Sequence, residues 1–70
     1  METTLIYSKS SSQCQAIKMF LKLKGVQYTG IDYDEMDELD KGMIPEVPML
    51  VHGEETLLGY NPDDLSRLFG

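Results

Sequence analysis

The sequence predicts an α/β domain in which four strands form one mixed sheet flanked by helices, in the order β-α-β-α-β-β-α. Three observations carry this. A strand-like run from Thr3 to Tyr7 is followed by a helical period that ends at a glycine, and then by a second strand-like run, so the two strands should be parallel with a right-handed crossover. Two short apolar runs near the C-terminus flank HGEE, a hairpin connection that makes them antiparallel. The segment NPDDLSRLF has the composition of a capped amphipathic helix. With 70 residues, 41% hydrophobic content and no visible repeat, residues 1–70 are expected to form a single domain around one small core.

Each element has its own local reason. Thr3 to Tyr7 (TTLIY) is β-branched and aromatic, and the polar SKSSS after it bounds a buried strand. From Ser12 the period changes. Ala16, Met19, Phe20 and Leu23 recur at helical spacing, Ile17 and Leu21 widen the stripe, and Gln15, Lys18 and Lys22 mark the wet face. This helix should end at Gly25, which suits the left-handed position after Lys22 and Lys24. Val26 to Tyr33 (VQYTGIDY) returns to strand composition, with Gly30 a candidate bulge. In DEMDELDKGM, Met36, Leu39 and Met43 predict a short helix capped by Asp34 and closed near Gly42. Met49 to Val51 and Thr56 to Leu58 form the hairpin. In the last segment Asn61 can cap, Pro62 suits the first helical position, Asp63 and Asp64 complement the helix dipole, and Leu65, Leu68 and Phe69 supply the buried stripe.

Charge excludes several functions. The formal net charge is -6, and Asp32, Asp34, Glu35, Asp37, Glu38 and Asp40 crowd into one short stretch, so a phosphate backbone would be repelled and nucleic-acid binding is not expected. The same stretch lacks the glycine and the terminal glutamate of a calcium loop, and His52 has no second His or Cys near it in sequence, so no metal site is expected. His52 itself reads as a solvated hairpin residue. There is no apolar run long enough to span a membrane and no signal-peptide pattern at the start, which leads to the expectation of a soluble protein. A single cysteine cannot form a disulfide within the chain, and that fits a reducing, cytoplasmic compartment.

The one cysteine, Cys14, lies where the first helix begins. If Ser12 caps the helix, Gln15 completes a capping box; if Ser11 caps it, Cys14 is the third helical residue and offers its backbone N–H to the Ser11 hydroxyl. Both arrangements put Cys14 in the first turn, where the helix dipole favours a thiolate, while a side chain turned toward the sheet would lose water and favour the thiol. Buried filler and chemistry are both open at this point.

The order of motifs resembles the glutaredoxin-like branch of the thioredoxin fold, and within it the small NrdH-type redoxins. The residues that carry the resemblance are Tyr7-Ser8-Lys9 at the strand end, Ser11-Ser12-Gln13-Cys14 where the family has Cys-x-x-Cys, Gly25-Val26, Asp32-Tyr33-Asp34-Glu35, Val47-Pro48, and Gly59-Tyr60-Asn61-Pro62-Asp63. They run in order from about Leu5 to Leu65. Counted back from Gly25, Cys14 falls where the family places its second cysteine and Ser11 where it places the first, with the loop after Lys9 one residue shorter than usual. In the family the first sulfur attacks and the second resolves the mixed disulfide. A serine hydroxyl caps a helix but forms no disulfide. Two readings follow: Ser11 belongs to the chain and makes it a single-thiol or binding-only relative, or it replaces a cysteine to remove the reactive thiol.

The resemblance implies a thiol-disulfide oxidoreductase that carries electrons to a protein disulfide such as that of a ribonucleotide reductase, without a cofactor and as a monomer. It implies that Ser11 and Cys14 occupy the catalytic positions, that Val47-Pro48 is a cis-proline step which pairs with the bound substrate, that Lys9 lies beside the sulfur and favours its anion, and that Gly59 and Tyr60 contribute to the binding surface. Thioredoxin reductase or glutathione would be the reductant. Glu46 stands where ordinary glutaredoxins carry a threonine that helps to hold glutathione, and an acid there would repel glutathione carboxylates, which favours the reductase. Iron-sulfur binding of the single-thiol kind uses the first cysteine position and is not expected with Ser11. The alternative function is a redox-silent binding module of the same fold.

Overall fold

The computed structural model describes residues 2–70. Its strands are β1 (Thr3–Tyr7), β2 (Thr29–Asp32), β3 (Met49–His52) and β4 (Glu55–Leu58), and its helices are α1 (Ser12–Leu23), α2 (Glu38–Lys41) and α3 (Pro62–Phe69). The sheet order is β2-β1-β3-β4, with β1 and β2 parallel and both other pairs antiparallel. This is the mixed sheet expected from the helical crossover and the hairpin.

Register explains the core. Leu5 lies opposite Gly30 on one side and Leu50 on the other, and Leu50 lies opposite Leu57. Leu5, Leu50 and Leu57 are buried and cluster with Ile17 and Leu21 of α1 and Leu65 of α3, so both longer helices cover the same face of the sheet. The next row points the other way: Ile31, Ile6, Met49 and Leu58 cross all four strands. Ile6 at its centre is buried, while Ile31 and Leu58 on the outer strands are exposed.

α1 ends in a Schellman arrangement. Gly25 adopts φ 70°, its N–H donates to the Lys22 carbonyl, and the Val26 N–H donates to the Leu21 carbonyl, satisfying two end-of-helix acceptors. At the start of α3, Asn61 Oδ1 accepts from the N–H groups of Asp63 and Asp64, as its position before Pro62 predicts.

Four local expectations are corrected. The seam that α1 buries is Cys14, Ile17 and Leu21, whereas Met19 and Leu23 are exposed. β2 is limited to Thr29–Asp32, because the helix cap consumes Val26 and the acidic run turns away directly after Asp32. The acidic helix is two pieces: a 3-10 turn at Tyr33–Glu35 capped by Asp32, and a single α-helical turn at Glu38–Lys41 preceded by Asp37. Asp34 therefore does not cap it; its own N–H donates to Asp32 Oδ1. His52 is half-buried: its Nδ1 lies 2.7 Å from Thr3 Oγ1 and its ring meets Phe69 edge-on at 4.8 Å. It ties β1, β3 and α3 together.

Leu50 is fully buried at the centre of the sheet, so Leu50→Ala should lower the free energy of unfolding by about 2–5 kcal/mol. Leu39→Ala, at a side chain that is 87% exposed, should change it by less than about 0.5 kcal/mol. Urea unfolding of the two variants checks both; equal effects would contradict this core.

Candidate functional site

The site begins where β1 gives way to α1. Ser8 turns the chain: its carbonyl accepts the Ser11 N–H at 3.2 Å, its hydroxyl lies 3.0 Å from Ser10 Oγ, and the same hydroxyl donates to Asp34 Oδ2. Ser11 is extended (φ -96°, ψ 124°) and its Oγ accepts the Cys14 N–H at 3.4 Å, while its carbonyl accepts the Gln15 N–H. Ser11, not Ser12, is therefore the cap, and Cys14 is the third helical residue. From that position its side chain points inward. Cys14 is completely buried, and its sulfur accepts the Ser8 N–H at 3.3 Å.

Two further segments meet this helix start. The Val47-Pro48 peptide is cis, and Pro48 is buried with its carbonyl accepting the Gly59 N–H at 2.8 Å. Gly59 has φ +74°, and a Cβ placed on it would lie 2.7 Å from Glu46 Oε2 and 3.6 Å from Gln13 Oε1. The left-handed backbone favours glycine, and a side chain here would also displace the Glu46 carboxylate. The same measurement joins the three segments: Gln13 from the first turn of α1, Glu46 from the residue before Val47, and the Gly59-Tyr60 loop. Tyr60 is 39% exposed at the rim.

Among the expected site residues, the structure thus gathers the Ser11 to Cys14 turn, Val47, Pro48 and Gly59 in one region, with Tyr60 following directly in the chain. Lys9 lies in the turn between β1 and α1. Its ammonium lies 3.6 Å from Asp32 Oδ2, and that carboxylate is nearly buried. The polar group that reaches the sulfur is the Ser8 N–H. Sequence reasoning missed that donor because a backbone group leaves no trace in residue type, and it missed Gln13 and Asp32 because their roles arise only from the fold. Among the described residues there is no group of three or more His, Cys, Asp or Glu side chains able to hold a metal.

Chemically, the arrangement offers a hydroxyl at the helix cap and, in the first turn, a thiol closed off from solvent. Comparison with known proteins bears on the fold. No protein-family profile and no curated protein matches the sequence. Solved structures do: NrdH-redoxin of Escherichia coli, a glutaredoxin-like protein with a thioredoxin-like activity profile, superposes with a TM-score of 0.86 at 23% identity, over 100% of this chain and 97% of that one. A glutaredoxin from Archaeoglobus fulgidus gives 0.81 at 27% identity, over 96% of this chain and 84% of that one. A thioredoxin-like protein gives 0.83 at 20% identity, over 96% and 99%.

If Ser11 supplies the cap, Ser11→Ala should cost about 1 kcal/mol of stability while Ser12→Ala stays within about 0.5 kcal/mol. Chemical denaturation of both variants measures the difference, and a larger loss at Ser12 would assign the cap to the wrong residue.

Proposed function

We propose that this chain, which has the thioredoxin fold in its glutaredoxin-like form, is a thiol-disulfide carrier scaffold for a protein disulfide partner, held in a redox-silent state by Ser11. The observation that carries the reading is the approach of Gln13 in the Ser11 to Cys14 turn, Glu46 beside the cis Val47-Pro48 step, and Gly59 at one partly exposed surface. An extended partner segment fits such a surface by pairing with the backbone next to Pro48.

The chemistry defines what the serine removes. With a thiolate at position 11, that sulfur attacks one sulfur of the partner disulfide, forming a mixed disulfide and releasing the other partner sulfur as a thiolate. The Cys14 sulfur then attacks the sulfur at position 11, closing a disulfide within the chain and releasing the second partner thiol. Two electrons pass to the partner, and a reductase restores the dithiol. The Ser11 hydroxyl can enter neither step. Cys14 alone is buried, so no partner sulfur reaches it from outside.

That burial also favours a second reading, in which the chain acts by docking alone through Val47, Pro48, Gly59 and Tyr60. In both readings the partner is a protein, a disulfide such as that of ribonucleotide reductase being the substrate in the first, and the compartment is the reducing cytoplasm, where the protein acts as a monomer. Thioredoxin reductase is the preferred reductant. Glu46 sets its carboxylate over Gly59, where it opposes the carboxylates of glutathione. Lys9 contributes positive charge near the turn and is partly neutralised by Asp32.

Ser11→Cys should confer reduction of a protein disulfide when thioredoxin reductase and NADPH are supplied, from a baseline indistinguishable from buffer. A correctly folded Ser11→Cys protein that stays inert would defeat the carrier reading. In that same background, Glu46→Gln should raise the rate with glutathione disulfide by roughly three- to tenfold while leaving a neutral disulfide unaffected. An unchanged ratio would remove Glu46 from the account of selectivity.

A further inference from the structure

We propose that the flank of the molecule between α1 and β2 binds an acidic segment of a partner protein that presents an apolar side chain. The starting point is the distribution of charge. Between Thr3 and Ile31 there are four lysines and no acid, whereas from Asp32 to Gly70 eleven acids accompany only Lys41 and Arg67. A protein of net charge -6 therefore keeps one stretch free of negative charge, and that stretch contains all of α1.

The structure turns this asymmetry into a surface. A groove of about 390 Å³ is lined by Gln15, Lys18, Met19, Lys22, Val26 and Tyr28. Four of these fall at i, i+3, i+4 and i+7 on α1, the stripe adjoining its buried seam. Lys18 is fixed by its ammonium, 3.4 Å from the centre of the Tyr7 ring, and Lys22 is exposed. Among the described residues neither meets a carboxylate within 4.0 Å, although Lys9, Lys41 and Arg67 each do. Met19, between the two lysines, is 56% exposed, and Val26 and Tyr28 form the apolar floor.

Each component has a local reason that does not explain the combination. A lysine in the last turn suits the helix dipole, which accounts for the sign of Lys22. It does not account for an exposed methionine beside two ammonium groups that have no carboxylate partner among the described residues, in a groove that Val26 and Tyr28 also line. An acidic segment supplies carboxylates to the lysines, and its apolar side chain covers Met19. Glu2, which lies near Tyr28, is the acid next to this flank, whereas the chain from Asp32 onward meets the segment mainly with like charge, so repulsion favours the α1 side.

The test uses synthetic peptides and the isotope-labelled full chain followed by NMR. A ten-residue peptide of glutamates with two leucines should cause saturable shifts at Lys18, Met19, Lys22, Val26 and Tyr28, weakening as ionic strength rises from about 0.05 M to about 0.5 M. The peptide with lysines in place of glutamates should leave these signals unmoved, and replacing its leucines by serines should remove the Met19 shift. Lys18→Glu/Lys22→Glu should weaken binding roughly tenfold, and Lys22→Glu alone, at an exposed position, covers the case in which the double variant fails to fold. Overturning results are no saturable shift at Met19, equal binding of the lysine peptide, or unchanged affinity in the Lys22→Glu chain. Shifts that depend only on the chain's own concentration would make the groove a contact between copies and would equally overturn the proposal.

Discussion

The hydrogen bond from the Ser8 N–H to the Cys14 sulfur is the constraint on which the site depends. It fixes where the chain turns after β1, and the turn in turn decides which serine reaches the helix. With the Ser8 carbonyl holding the Ser11 N–H, Ser11 is left extended with its hydroxyl over the first turn, and the thiol is drawn inward. A buried sulfur with a donor already in place is a settled group. Of the two family cysteine positions, only position 11 is open to the outside.

The opposite wall of the site depends on a glycine. Gly59 donates to the Pro48 carbonyl, and the space a side chain would fill there is faced by the Glu46 carboxylate and the Gln13 amide, so the last loop, the cis-proline step and the start of α1 lie close together. Backbone hydrogen bonds and the absence of one side chain fix this geometry. A site built this way tolerates changes in the side chains around it, because its shape comes from the main chain.

The architecture was legible because its signals were local and redundant. Gly25 after a lysine-rich helix end, Asn61-Pro62 before an apolar stripe and HGEE between two short strands each have one favourable geometry, and the structure adopts it in every case. The centre of the α1 stripe was not legible. The helix is apolar over a wide arc, and Cys14, Ile17 and Leu21 fit the helical period as well as Ala16, Met19 and Leu23 do; only packing against Leu5 and Leu50 selects the first set. His52 was misread because a hairpin position gives no hint of Thr3 and Phe69, which come from opposite ends of the chain. At the site, motif order indicated position 11 and Pro48, but which serine caps, where Lys9 finds its counter-charge and how Gln13 approaches Gly59 are outcomes of folding.

The two outer strands have a consequence for behaviour at high concentration. The margin of a sheet is where a second chain can add and propagate an aggregate, and apolar Ile31 and Leu58 would favour such growth. Here β2 and β4 are each four residues long, β2 stops at an aspartate and β4 starts at a glutamate. So brief a template, bounded by charge on a molecule whose copies repel one another, gives fibrillar stacking little to nucleate on.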